Sequence, residues 1–138
     1  MQAEFWGILH DGGINHIDGV VPGTVAIDIS ILYLRQQFPG EGSGFKVILE
    51  NCTRFECAEY DSSPVYDFAT IVALDPEILE LEQAADPTVV NCTMGTLTLS
   101  YASAAVYLDS GTPVSFDELA AASTAYWNAW QAGIERDK

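Results

Sequence analysis

Lysine and arginine are nearly missing from this sequence. Only 5 of its 138 residues carry them, against 20 aspartates and glutamates, so the formal net charge is −15. Residues 55 to 135 hold no lysine or arginine at all. Phosphate backbones are gripped by clustered cations, so nucleic acid is not an expected partner. Anionic membrane surfaces attract polybasic segments and are set aside on the same ground. A long apolar run is also lacking, with nothing near the roughly 20 residues that a membrane helix needs. The stretch MQAEFWGILHDGG has neither a basic start nor a long apolar segment, so it does not read as a signal peptide. A complete soluble protein of the cytoplasm is the expectation.

Cysteine is sparse and odd in number: Cys52, Cys57 and Cys92. Without an export signal this argues against a disulfide framework and for buried, reduced thiols. A zinc site wants about four Cys or His ligands at short spacing, and no second pair follows Cys52 and Cys57. Asn51-Cys52-Thr53 and Asn91-Cys92-Thr93 match a glycosylation sequon. Without a secretion route the match reads as chance. G-x-S-x-G, a phosphate loop and a metal signature are all absent, so neither catalysis nor a cofactor is expected.

The hydrophobic share is 49%, enough to fill the core of one domain, residues 1–138. Period-two alternation marks strands. Thr24 to Leu34 reads as one, with Val25, Ile27, Ile29, Ile31 and Tyr33 against Ala26, Asp28 and Ser30. Phe45 to Asn51 puts Phe45, Val47 and Leu49 on one face, and Arg54 to Tyr60 puts Phe55 and Cys57 on one side. Between the first two, PGEGSG at 39 to 44 reads as a hairpin loop. Asp67 to Leu74 fits a strand or a short helix. Pro76 to Ala85 is read as a strand, although Asp75-Pro76 would also open a helix. In that strand Leu79 and Leu81 point inward, and Glu80 and Glu82 outward. Thr96 to Tyr101 and Ala104 to Leu108 complete the strands.

The C-terminal stretch predicts a helix from Ser115 to about Ile134. Ser115 and Glu118 form a capping box, with Val114 and Leu119 at the staple positions. Phe116, Leu119, Ser123, Trp127, Trp130 and Ile134 recur at three- and four-residue steps. Leu119, Trp127 and Trp130 are expected to be buried against a sheet. The fold class is α+β: a curled, mostly antiparallel sheet of roughly six to eight strands with one long amphipathic helix packed on it.

The segment HDGGINHID, residues 10 to 18, gathers both histidines and two aspartates. His10, Asp11, Gly12 and Gly13 read as a structural turn, with the glycines supplying positive φ and Asp11 closing the turn through its side chain. His16 and Asp18 then share one face of a strand from Ile14 to Val21. The alternative is a small enzyme using His10 or His16 with nearby carboxylates.

The segments FWGILHDGGINHIDG, TVAIDISILYL and FKVILENCTRF resemble a group of small bacterial proteins. Several families in that group are immunity proteins of polymorphic toxin systems, or have no assigned function. The resemblance spans about residues 5 to 60 and rests on His10-Asp11 and the strand rhythm. The tryptophan-bearing helix and the acidic middle depart from it. It implies a β-rich cytoplasmic protein that binds a partner, and carries over no catalytic residue. With the charge, it leads to a non-enzymatic interaction domain facing a basic toxin or enzyme. Glu77, Glu80, Glu82 and Asp86 are the candidate partner-binding residues. A small ligand-binding β-rich domain is the alternative.

Overall fold

The computed structural model describes residues 3–136. Its chain order is α1 (Phe5–Ile8), β1 (Gly13–Gly19), β2 (Gly23–Ser30), α2 (Leu32–Arg35), β3 (Gly44–Cys52), β4 (Arg54–Glu59), α3 (Phe68–Ala73), β5 (Ile78–Gln83), β6 (Thr88–Cys92), β7 (Gly95–Ser100), β8 (Ser103–Leu108), β9 (Pro113–Val114) and α4 (Phe116–Arg136). The fold is α+β, as the sequence implies. The strands form two antiparallel sheets rather than one: β1-β2-β3-β8-β9 and β4-β7-β6-β5.

Alternation explains the core. Val25, Ile27 and Ile29 on β2 and Phe45, Val47 and Leu49 on β3 face inward. Phe55 and Cys57 on β4, Val90 and Cys92 on β6, and Leu97 and Leu99 on β7 join them in one hydrophobic cluster. The chain passes between sheets at Thr53, whose N–H donates to the Ser100 carbonyl at 2.8 Å. All three cysteines are free and buried. Burial pushes the Cys57 thiol up to about 11 and the Cys92 thiol up to about 12. Both therefore stay protonated at neutral pH and are unreactive.

The expected strand from Thr24 to Leu34 ends early. Its last rung is the Ile31 N–H on the Ser43 carbonyl, and the chain then turns into α2. Ile31 and Leu34 are buried three residues apart, a helical step that the apparent alternation through Tyr33 conceals. The turn delivers Arg35 to the interior, where it is 1% exposed. Its Nε donates to Asp109 Oδ1 at 2.8 Å, and Nη1 and Nη2 donate to the carbonyls of Pro39 and Glu41. Asp109 Oδ2 accepts from the N–H groups of Ser43 and Gly44. The PGEGSG loop is thus wrapped around a guanidinium. Burial alone would raise the Asp109 carboxyl, but the bonds from Arg35, Ser43 and Gly44 outweigh it and hold the group below its ordinary range.

The stretch from Asp67 to Leu74, open between strand and short helix, forms the helix α3 over Phe68–Ala73: the Asp67 carboxylate accepts from the Thr70 N–H and hydroxyl, capping it. Residues 78–83 resolve as strand β5, but its register shifts twice against β6, between Ile78 and Glu80 and between Leu81 and Gln83. These bulges undo the simple alternation. Ile78 is buried, Leu81 is half-buried, and Leu79 turns outward at 47% exposure, contrary to the expected inward pair. Strands β6 and β9 and helix α1 were not foreseen from the alternation.

Helix α4 begins as its capping box dictates. The Glu118 N–H donates to Ser115 Oγ at 3.1 Å, and the Ser115 N–H donates to Glu118 Oε1 at 3.0 Å. Val114 and Leu119, 4% and 0% exposed, staple the start into the core. Burial then fades. Ala122 is the last buried residue, and Trp127 and Trp130 are 36% and 53% exposed rather than buried against a sheet. The reason is placement: α4 packs chiefly on the small helices α1 and α2 and not on the face of a sheet. Leu119→Ala should therefore cost about 2–5 kcal/mol in urea unfolding. Trp130→Ala should stay within roughly 0.5 kcal/mol of the parent, the behaviour of an exposed position.

Candidate interaction surface

The histidine-rich segment is the seam between the two sheets. After α1 the Gly12 N–H donates to the Leu9 carbonyl at 3.0 Å, closing a turn in which Asp11 takes φ 70°. Three further main-chain bonds cross to the stretch before β5: Asp11 N–H to Ile78 carbonyl at 2.7 Å, Ile78 N–H to Gly12 carbonyl at 2.8 Å, and Ile14 N–H to Pro76 carbonyl at 2.9 Å. Gly13 stands opposite Glu77 in an antiparallel bridge. The positive φ therefore falls on Asp11 and not on the glycines; the Gly12 N–H closes the turn, and Asp11 contributes its backbone N–H to Ile78 across the seam. Gly12 serves a different need. A Cβ there would lie 2.6 Å from Ile29 Cγ2 and 2.8 Å from the Leu9 carbonyl oxygen.

The two histidines have separate surroundings. His10 Nδ1 bonds the Gly7 carbonyl at 2.9 Å, and the Tyr33 hydroxyl donates to the His10 carbonyl at 3.1 Å. His16 is exposed on β1 opposite Asp28, on the outward face with Asp18. A register shift between Ile14 and His16 sends Ile14 inward instead. Among the described residues no group of three or more metal-ligating side chains converges.

What the sequence does not reveal is the company His10 keeps. Its ring stacks on Trp127 with centroids 5.8 Å apart and planes 16° from parallel. Tyr33 packs on Tyr126 at 4.4 Å and edge-on to Trp127 at 5.9 Å, and Trp127 meets Trp130 edge-on at 5.7 Å. The cluster runs outward from half-buried Tyr33 and Tyr126 to exposed Trp130. Burial, with the nearby Asp11 carboxylate and Tyr126, pushes the Tyr33 hydroxyl up to about 12. A signal was available: residues 119 to 134 contain no charge, which is unusual for the outer face of a surface helix.

Glu77, Glu80, Glu82 and Asp86 are all exposed. Glu77 sits at the seam, bridged to Gly13. Glu80 and Glu82 line β5, an edge strand, and Glu80 Oε1 accepts from Asn91 Nδ2 at 3.1 Å. Asp86 lies in the β5–β6 loop. Helix α1 packs against both α4 and β5, so the aromatic cluster and the acidic strand flank the same small helix. The cations with described side chains are all spoken for: Arg35 by Asp109, Lys46 by Asp28 at 3.7 Å, and Arg54 by Glu56.

One cavity of about 430 Å³ lies elsewhere, between the β1–β2 turn and the start of α3. Val20, Val21, Phe55 and Phe68 line it, with Arg54 and Asp67 as polar groups. No helix among the described residues is long and apolar enough to cross a membrane. No family model, curated protein or solved structure matches the chain.

Adjacent glycines of the seam should respond differently to substitution. Gly12→Ala forces the new methyl into Ile29 and the Leu9 carbonyl and should destabilise by roughly 1–3 kcal/mol in urea unfolding. Gly13→Ala meets nothing nearer than Asn15 Oδ1 at 3.8 Å and should be close to neutral.

Proposed function

We propose that this chain is a non-enzymatic, acidic interaction domain that binds a basic protein, in the manner of an immunity-type inhibitor of a basic toxin or enzyme. The observation that carries the reading is the unequal pairing of charge. Each cation with a described side chain is taken up by a carboxylate of the same chain, while Glu77, Glu80, Glu82 and Asp86 stand exposed, with no cation among the described side chains beside them. Unpaired like charge costs stability through self-repulsion, and a partner of opposite charge relieves it. Acids on an open surface also steer a basic partner and raise its association rate. Inhibition would follow from covering the partner's site, with no chemistry asked of this chain. Cytoplasmic action fits the three buried free thiols, which a reducing compartment preserves. Nucleic acid and anionic membranes fit poorly, since the charge repels both.

A second reading rests on the 430 Å³ cavity, whose apolar walls and polar side chains, Thr53, Arg54, Tyr66 and Asp67, suit a small ligand. Its opening has no connection to the acidic strand that the first reading uses.

The test is kinetic. A partner captured from the native host is purified, and its association rate is followed from about 0.05 M to about 0.5 M salt, across which the screening length falls several-fold. The rate should fall roughly tenfold or more. In Glu80→Gln/Glu82→Gln, where glutamine at 80 keeps an oxygen for Asn91, it should already be lower at low salt. An association rate indifferent to both salt and mutation overturns the electrostatic reading.

A further inference from the structure

We propose that the outward face of α4, formed by Trp127, Trp130 and Ile134, is the docking surface for an arginine-bearing segment of the basic partner, whose guanidinium groups lie over the indole rings. The inference rests on the preceding reading and locates its contact.

Four observations converge on this face. First, it is apolar and open: Trp127, Trp130 and Ile134 are 36%, 53% and 39% exposed, and steps of three and four residues put them on one side of the helix. Beyond Ala122 no described side chain of α4 is buried. An exposed aromatic face on a soluble protein marks an interaction site. Second, the rings are held in place. Trp127 is clasped by His10, Tyr33 and Tyr126, and Trp130 is set edge-on against Trp127. A partner therefore meets a surface whose ordering entropy is already spent. Third, the root of the face is negative. The Asp11 carboxylate lies 4.0 Å from His10 Nε2, and Glu77 stands across the seam from Gly13. Fourth, the helix itself brings no cation or anion between residues 119 and 134 to compete with an incoming charge.

Charge decides the occupant. A second copy would bring another −15 toward the first, which opposes self-association. A cationic segment is drawn in by the acids and then held by the indole faces. Arginine suits this better than lysine, because its planar and weakly hydrated guanidinium stacks on an aromatic ring. Tryptophan and arginine are also the residues that concentrate binding energy at interfaces.

The experiment uses two synthetic probes, alternating Gly-Arg and Gly-Lys peptides of equal length and charge. Each is titrated at low salt into the full chain labelled with nitrogen-15. The 3 tryptophans give separate indole signals. Trp6 is the internal control, because its side chain is buried and bonded to the Tyr101 hydroxyl at 3.2 Å. The arginine peptide should shift the Trp127 and Trp130 signals, leave Trp6 in place, and bind about threefold more tightly than the lysine peptide. Trp130→Ala should bring the arginine peptide down to the lysine level, and Trp130→Phe should restore part of the difference. An unmoved Trp6 signal in each variant certifies the fold. Equal binding of both peptides with unmoved Trp127 and Trp130 signals overturns the docking surface while leaving the salt-dependent acidic reading standing. Failure of the arginine peptide to bind overturns the docking surface as well, and the captured partner's kinetics then judge the acidic reading separately. Concentration-dependent dimerisation that Trp130→Ala abolishes would assign the face to a second copy and overturn the proposal.

Discussion

Main-chain hydrogen bonds between residues 11–14 and 76–78 tie one sheet to the other, and much else hangs on that seam. They need the two backbones close, which needs Gly12 to carry no Cβ against Ile29 and Leu9. They also fix where α1 ends, and α1 is the wedge between β5 and α4. The same turn points His10 at Trp127 and leaves Asp11 at the edge of the aromatic cluster. A segment rich in catalytic residue types thus holds the two sheets together and positions the aromatic cluster.

A second constraint acts through charge. With so few cations, the fold uses each described one locally: Arg35 to organise a buried loop with Asp109, and Lys46 and Arg54 to neutralise neighbours on the strands. The acids of the β5–β6 region are left to solvent. Helix α4, uncharged from residue 119 to 134, shares α1 as a neighbour with β5. The outcome is a surface with an acidic strand and an aromatic ridge close to one another, the two elements that a basic partner can use for steering and for grip.

The strands with regular alternation were legible in the sequence, because burial on one face imposes period two on β2, β7 and the middle of β3, whereas β4 buries Glu56 between Phe55 and Cys57. The capping box of α4 was equally plain. Reading failed where the backbone departs from regular geometry. The bulges in β5 moved Leu79 outward, and Leu32–Arg35 form a helix that brings Arg35 to Asp109. Strand β6 also alternates, with Thr88, Val90 and Cys92 buried, but it is short and follows a proline. The turn at Gly12 was recognised for the right residues with the wrong cause. The exposed tryptophans were misplaced because their spacing gives a helix face but not which neighbour covers it. Only tertiary packing on α1 and α2 settles that, and those helices are too short to announce themselves.

Amide hydrogen exchange of the protein alone and with its captured partner tests the central claim most directly, because it asks where the partner lies without assuming its identity. The account predicts added protection in residues 77–86 and 126–134, the acidic strand and the aromatic half of α4, and no change around Val20, Val21 and Phe68. Protection confined to the walls of the 430 Å³ cavity, with α4 and β5 exchanging as in the free protein, would contradict it.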